Sequence, residues 1–158
     1  MNVSMNELKA YAEEFLNKNY SIGLSSDIAI NGRLSRAMGR FVVTKRFDHV
    51  ETRVELSKRL VKHNDKETIF AVLKHELIHY AHYHTGLPVD DDSEEFISAC
   101  NRLGAPLTET FSMKQPMHQY RCDCHVHQRA RKIRNFHVGS HCCDKCKAVL
   151  EYVGIEIL

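Results

Sequence analysis

"NDKETIFAVLKHELIHYAHYHTGLP", residues 64–88, reads as one long helix together with its start and stop signals. Asn64 and Glu67 stand at capping-box spacing, and Ile69, Phe70, Val72, Leu73, Leu77 and Ile78 give the helix a strongly apolar face. Gly86 ends it, with Pro88 just behind. Upstream, Ser4 and Glu7 make a second capping box. Leu8, Tyr11, Ala12, Phe15 and Leu16 follow it at helical spacing. From about Ile28 to Leu60 the signals turn β-like, with "DIAING", "GRFVVT" and "TRVELS" as short strands. Downstream, a third helix near Ser93 to Leu103 buries Phe96, Ile97, Cys100 and Leu103 and ends at Gly104 before Pro106.

The polar stretch "APLTETFSMKQPMH" reads as a connector, and the composition changes after it. From Gln119 onward come cysteines, basic residues and β-like runs such as "RKIRNF" and "VLEYVGIEI". The expected class is therefore α+β. A small, mostly antiparallel sheet with about three helices fills residues 1–118, and a β-rich module fills residues 119–158. A chain of 158 residues suits one ordinary domain, or one domain plus a small stapled module.

Within the long helix lies His75-Glu76-Leu77-Ile78-His79. Two imidazoles four residues apart share one helix face, about 6 Å apart along the axis, and can reach one tetrahedral Zn²⁺. Glu76, beside the first ligand, can take a proton from a water that zinc has acidified, then pass it to a leaving amine. His82 continues the same face but lies about 10 Å along the axis from His75, and His84 points about 140° away from His79. Both read as bystanders, either standing behind the ligands or simply exposed. The third ligand falls to the acids of "DDDSEEF", and Asp91, Asp92, Glu94 and Glu95 are all open. Asp92 has a competing use as the N-cap of the third helix, with Glu95 completing its box.

No apolar run approaches the ~20 residues of a membrane span. "MNVSMNELKAYAEEF" lacks the basic and apolar regions of a secretory signal, so the cytoplasm is expected, where thiols stay reduced. Five of the six cysteines fall between Cys122 and Cys146, which in that compartment points to metal before disulfides. Cys122 and Cys124, with Cys143 and Cys146, can close a tetrahedral structural site; His125 could replace Cys124. Cys142 reads as a neighbour without a ligand role. Such a module has too small a core to hold its shape without the staple.

Between the cysteine pairs, Arg129, Arg131, Lys132 and Arg134 stand in a run without acids. Arg129 and Arg131 would share one face of a strand; they read either as phosphate contacts, with Phe136 free to stack on a base, or as the solvated face of a β-hairpin. Residues 119–158 carry seven Lys/Arg against four Asp/Glu, a formal +3. A Zn(Cys)₄ centre reduces that margin to about +1, so any nucleic-acid affinity must come from local clustering.

The chain resembles the SprT-like zinc metalloproteases related to Spartan. In that family HExxH is followed by twelve residues, a His, three residues, and Phe or Trp. Here the twelve residues 80–91 follow His79 and Asp92 comes next, and three more lead to Phe96. "NGRLSRAMGRF", "RVELSKRL", "YRCDC", "HQRARKIR" and "CDKC" extend the likeness over most of the chain. The resemblance implies a zincin-like catalytic domain and a zinc-ribbon module. It implies Asp92 as third ligand to the catalytic zinc, and Cys124 as partner of Cys122 in a second, structural zinc site. The implied activity is cleavage of protein substrates, including proteins bound or crosslinked to DNA. A substrate backbone could add to the edge of the sheet. The alternative is a nucleic-acid-binding zinc protein whose protease-like site is degenerate, since the third ligand departs from the pattern.

Overall fold

In the computed structural model, Ser4 opens the first helix, α1 (Met5–Tyr20), through the reciprocal box that its spacing to Glu7 predicts. Ser4 Oγ accepts from the Glu7 N–H at 3.2 Å, and the Ser4 N–H donates to Glu7 Oε2 at 2.8 Å. The structure describes residues 3–108, 114–129, 131–134, 136–137 and 139–158. Residues 109–113 of the expected connector, and Asn135 within "RKIRNF", lie outside the described residues. The chain divides into two compact units, Met1–Met113 and Lys114–Leu158.

In the first unit α1 leads to β1 (Asp27–Asn31), β2 (Gly39–Lys45) and β3 (Val50–Ser57). Then follow α2 (Lys58–His63), α3 (Lys66–Thr85) and α4 (Glu94–Leu103). The three strands form one sheet in the order β1-β3-β2. β2 pairs antiparallel with β3, but β1 pairs parallel with it, where a mostly antiparallel sheet was expected. Two reversals of the chain, before and after β2, restore the direction of β1, and β3 then inserts between its predecessors. β2 is left as an edge strand.

The short helix α2 was not expected, and it explains a misplaced cap. Asn64 does not start the long helix; its N–H and its side-chain amide both go to the Leu60 carbonyl at 3.1 Å and close α2. Asp65 caps α3 instead, Oδ1 accepting from the Thr68 N–H at 2.8 Å. α3 is more than amphipathic: ten of its twenty residues are buried, because α1, α4 and the sheet all pack on it. Leu73, Leu77 and Ile78 are wholly covered, each burial contributing roughly 1.5–3 kcal/mol. Gly86 ends the helix at φ +73°, a conformation that an L side chain resists.

The second unit is a three-stranded antiparallel sheet, β5-β4-β6, of β4 (Pro116–Arg121), β5 (Val126–Arg129) and β6 (Glu151–Ile157). β4 pairs with β6 from Pro116 onward, so the expected boundary at residue 118 falls inside a strand. Its core is small: Tyr120, Cys122, Cys143 and Leu150, with Ile133, Phe136, Ala148 and Tyr152 against them. Phe136 therefore packs on Tyr120, 5.0 Å between ring centroids, and is not held out for a base.

Candidate metal centre and catalytic cleft

α3 carries His75 and His79 on one face, and their Nε2 atoms stand 3.1 Å apart. Each Nδ1 lies 2.8 Å from a backbone carbonyl, that of Pro106 for His75 and that of Val89 for His79. A carbonyl only accepts, so both Nδ1 atoms carry the proton, and each neutral ring turns a lone pair inward from Nε2. Asp91 Oδ1 completes the group, 3.2 Å from His75 Nε2 and 3.0 Å from His79 Nε2. Three acceptors facing one another is a repulsive arrangement that a cation resolves. Tetrahedral zinc bonds near about 2.0–2.1 Å would set ligand atoms roughly 3.3 Å apart, so the donor set fits zinc. Burial, with help from His75, holds His79 below the usual imidazole range against the pull of Asp91, which favours the neutral, ligating form.

Phe96 of α4 backs the group. Its ring stacks on His79 at 4.1 Å between centroids and meets His75 edge-on at 5.2 Å. Lys74, next to His75 on the helix, donates from Nζ to the carbonyls of Leu103 and Gly104 at 3.1 and 3.2 Å. The segments before and after α4 are thus both fastened to α3.

The structure brings Asp91 to the ring nitrogens, not Asp92. Ser93 caps α4, its Oγ accepting from the Phe96 N–H at 3.3 Å. Its N–H and Oγ both donate to the Asp90 carbonyl, at 3.0 and 2.9 Å. That bond closes a tight turn with Asp91 and Asp92 at its two central positions, where neighbouring side chains diverge. A register counted along the chain lands one residue late, because the ligand sits in a turn and not on the helix. The box of Asp92 with Glu95 does not form either, since Ser93 has the cap. His84 is exposed, its ring against Tyr80. His82, which the spacing made a bystander, is buried, with Nδ1 against the Pro88 carbonyl.

Glu76 is buried beneath β2. Burial first, and the charge of Asp91 second, push its carboxyl up to about 8, while the Phe41 N–H bonds it and opposes the rise. Gly39 makes that approach feasible. A Cβ there would stand 2.8 Å from both Cγ and Oε1 of Glu76 and 3.0 Å from Val72 Cγ1. Gly39→Ala is therefore expected to displace the carboxylate at a cost of about 1–3 kcal/mol. The check is a melting curve together with a turnover assay; an unaltered protein in both would place Glu76 elsewhere. Gly39 was not singled out in the sequence, and His82 was weighed there only to be set aside as a bystander.

A cleft of about 420 Å³ opens here, lined by Gly39, Phe41 and Val43 of β2 and by Tyr83, Val89 and Thr108 around the donor group. A second hollow of about 340 Å³ lies against His75 and Glu76 and is lined by Arg36, Met38 and Leu107. A larger cavity of about 810 Å³, lined by Thr44, Arg46, Glu51 and Arg53, holds none of the converging donors and is not the site.

In the second unit Cys122, Cys124, Cys143 and Cys146 converge on one point, and so do Cys122, His125, His127 and Cys143. Cys122 Sγ is 3.4 Å from Cys124 Sγ and also 3.4 Å from His127 Nε2, and Cys124 Sγ is 3.7 Å from Cys143 Sγ. The backbone N–H of Cys146 helps hold the Cys143 thiol down to about 5, favouring the thiolate. Cys142 belongs to neither group; it forms a bridge to Val149. Arg129, Arg131, Lys132 and Arg134 are all exposed. β5 ends at Arg129, so Arg129 and Arg131 do not share a strand face. Lys132 Nζ lies over the Tyr152 ring at 4.9 Å.

Comparison with known proteins covers both units. A model of the SprT-like family matches residues 5–117. Among curated proteins, "Protein SprT-like" of Oceanobacillus iheyensis is 25% identical over 131 residues, 80% of this chain and 81% of its own. The protein of the same description from Bacillus cereus is 24% identical over 154 residues, 94% of this chain and 95% of its own. That of Bacillus velezensis is 22% identical over 127 residues, 78% and 80% of the two chains. No helix among the described residues is long and apolar enough to cross a membrane.

Proposed function

The chain belongs to the SprT-like family, and from that premise we propose that it is a zinc-dependent metallopeptidase that cleaves protein substrates. One observation carries the reading. Three acceptor atoms of His75, His79 and Asp91 converge beside a buried Glu76, at the free edge of a strand. His75, His79 and Asp91 would hold a zinc ion, which when bound would supply a Lewis acid to polarise a carbonyl and acidify water. Glu76 receives the proton of the attacking water and returns it to the departing amine. The Phe41 N–H favours the ionised carboxyl that performs both transfers.

The substrate lies along β2. Because the Met38 carbonyl accepts from the Ser57 N–H at 2.7 Å, ladder alternation turns the backbone groups of Gly39, Phe41 and Val43 to the free side. An extended peptide can pair there as an added strand, with its scissile bond over the donor group. Cys122, Cys124, Cys143 and Cys146 hold a second, structural zinc, with His125 and His127 as the competing pair. The substrate class extends by resemblance to proteins bound or crosslinked to DNA, with the exposed Arg129, Arg131, Lys132 and Arg134 as the phosphate contacts. The expected setting is the cytoplasm.

The test is cleavage of an unfolded protein by the zinc-loaded chain, with metal counted alongside. Two zinc ions per chain are expected, with cleavage that stops on chelation and returns with zinc. A chain that holds both ions, binds DNA and cleaves nothing would be the degenerate nucleic-acid-binding protein instead.

A further inference from the structure

Asp91 is the weak member of the donor group on mechanical grounds. His75 and His79 are anchored in a helix, whereas Asp91 stands in a loop with about half of its side chain exposed. A carboxylate on a loose loop loses conformational freedom when it binds a cation, and that loss subtracts from affinity. Something must hold the loop beforehand.

His82 is placed to do so. It lies one turn beyond His79 on α3 and is 1% exposed. Its Nδ1 donates to the Pro88 carbonyl at 2.6 Å, and the Nδ1 of His79 donates to the next carbonyl, Val89, at 2.8 Å. The Leu87 N–H returns to the carbonyl of His82 itself at 2.8 Å. Residues 87–89 are thereby folded back along the last turn of the helix, two residues short of Asp91. The His82 ring has little freedom of its own: Phe96 meets it edge-on at 5.6 Å between centroids, and Tyr20 at 6.1 Å.

We propose that His82 is a positioning residue for the metal centre, its ring N–H holding the Pro88 carbonyl so that Asp91 is presented to His75 and His79. The inference rests on the reading of those three residues as a cation site, and the experiment separates the two. The full chain is titrated with Co²⁺. Ligand-field absorption without thiolate character reports the His/Asp site, and thiolate-to-cobalt charge transfer reports the cysteine site in the same sample. His82→Leu keeps apolar bulk and removes the donor. His82→Asn returns an N–H near the place of Nδ1.

Expected for His82→Leu is a loss of about 10–100-fold in Co²⁺ affinity at the His/Asp site, the scale for a group that orients a ligand. The cysteine band should not move, and His82→Asn should recover most of the loss. In an Asp91→Ala background His82→Leu should add less than about twofold, because the residue it orients is gone. If His82→Leu does not fold, His82→Gln replaces it with the same expected loss, since its amide reaches toward the place of Nε2 and misses Pro88.

The inference is overturned if Asp91→Ala weakens the site and loss of the His82 donor does not. It is overturned equally if the Asn variant is as weak as the Leu variant, or if the loss is undiminished without Asp91. If Asp91→Ala itself titrates like wild type, the cation-site reading falls and takes this inference with it.

Discussion

Glu76→Gln is expected to abolish protein cleavage, by about 10²–10⁴-fold or more, while both zinc ions remain bound. The amide is nearly isosteric with the acid and can still face the Phe41 N–H, but it cannot take a proton from water. Cleavage and metal content are measured on the same preparation, and cleavage that survives the change would remove Glu76 from the chemistry. The metal-free protein offers an independent check. Burial and Asp91 raise the folded pKa of Glu76 from 4.5 to about 8. Over that interval the folded protein holds a proton that the unfolded chain has lost, so stability falls as pH rises. Glutamine has no such dependence. Metal-free Glu76→Gln should therefore melt above metal-free wild type at pH 8 and higher, and the difference should shrink toward pH 4.5. A dication in the donor group offsets the charge of Asp91 and lowers the pKa again, so the gap should narrow when zinc is restored.

The second large effect separates two adjacent acids. Asp91→Ala is expected to weaken zinc at the His75/His79 site by more than about 100-fold, beyond the usual effect of an orienting group, because it removes a ligand. Asp92→Ala should change the affinity by less than about twofold. Competition with a chelator of known affinity reads both, with the cysteine site as internal reference. The opposite result, zinc lost with Asp92 and kept with Asp91, would mean that the turn from Asp90 to Ser93 is drawn in the wrong register. It would also restore the ligand that family spacing implies.

That one-residue difference shows where the sequence stops being legible. HELIH could be placed because helix periodicity is regular, and once α3 is a helix the two imidazoles must share a face. The three strands of the first sheet were legible for the same reason, from β-branched runs. What failed was counting through a loop, where no period exists and a turn can present either of two neighbours. The cap of α3 was misjudged by one residue because α2 was not foreseen, and Asn64 was already committed to ending it. The parallel pairing of β1 depends on a crossover that no local pattern records. Phe136 looked like a free aromatic until the small core of the second unit was seen to need it. Gly39 was overlooked and His82 set aside for another reason: each matters through a contact that no helix or strand period predicts, with Glu76 in one case and with the Pro88 carbonyl past the helix end in the other.

The contacts that fasten α3 to the segments flanking α4 end almost entirely on main-chain oxygen: Pro88, Val89, Leu103, Gly104 and Pro106. Every amino acid carries that oxygen. The helix thus grips its surroundings without reading their side chains, and these segments can drift in composition while the grip survives. Relatives that share only about a quarter of their residues with this chain could keep the same scaffold around the donor group on these terms. Selection would then be felt on the few side chains that do the gripping and hardly at all on the places they grip.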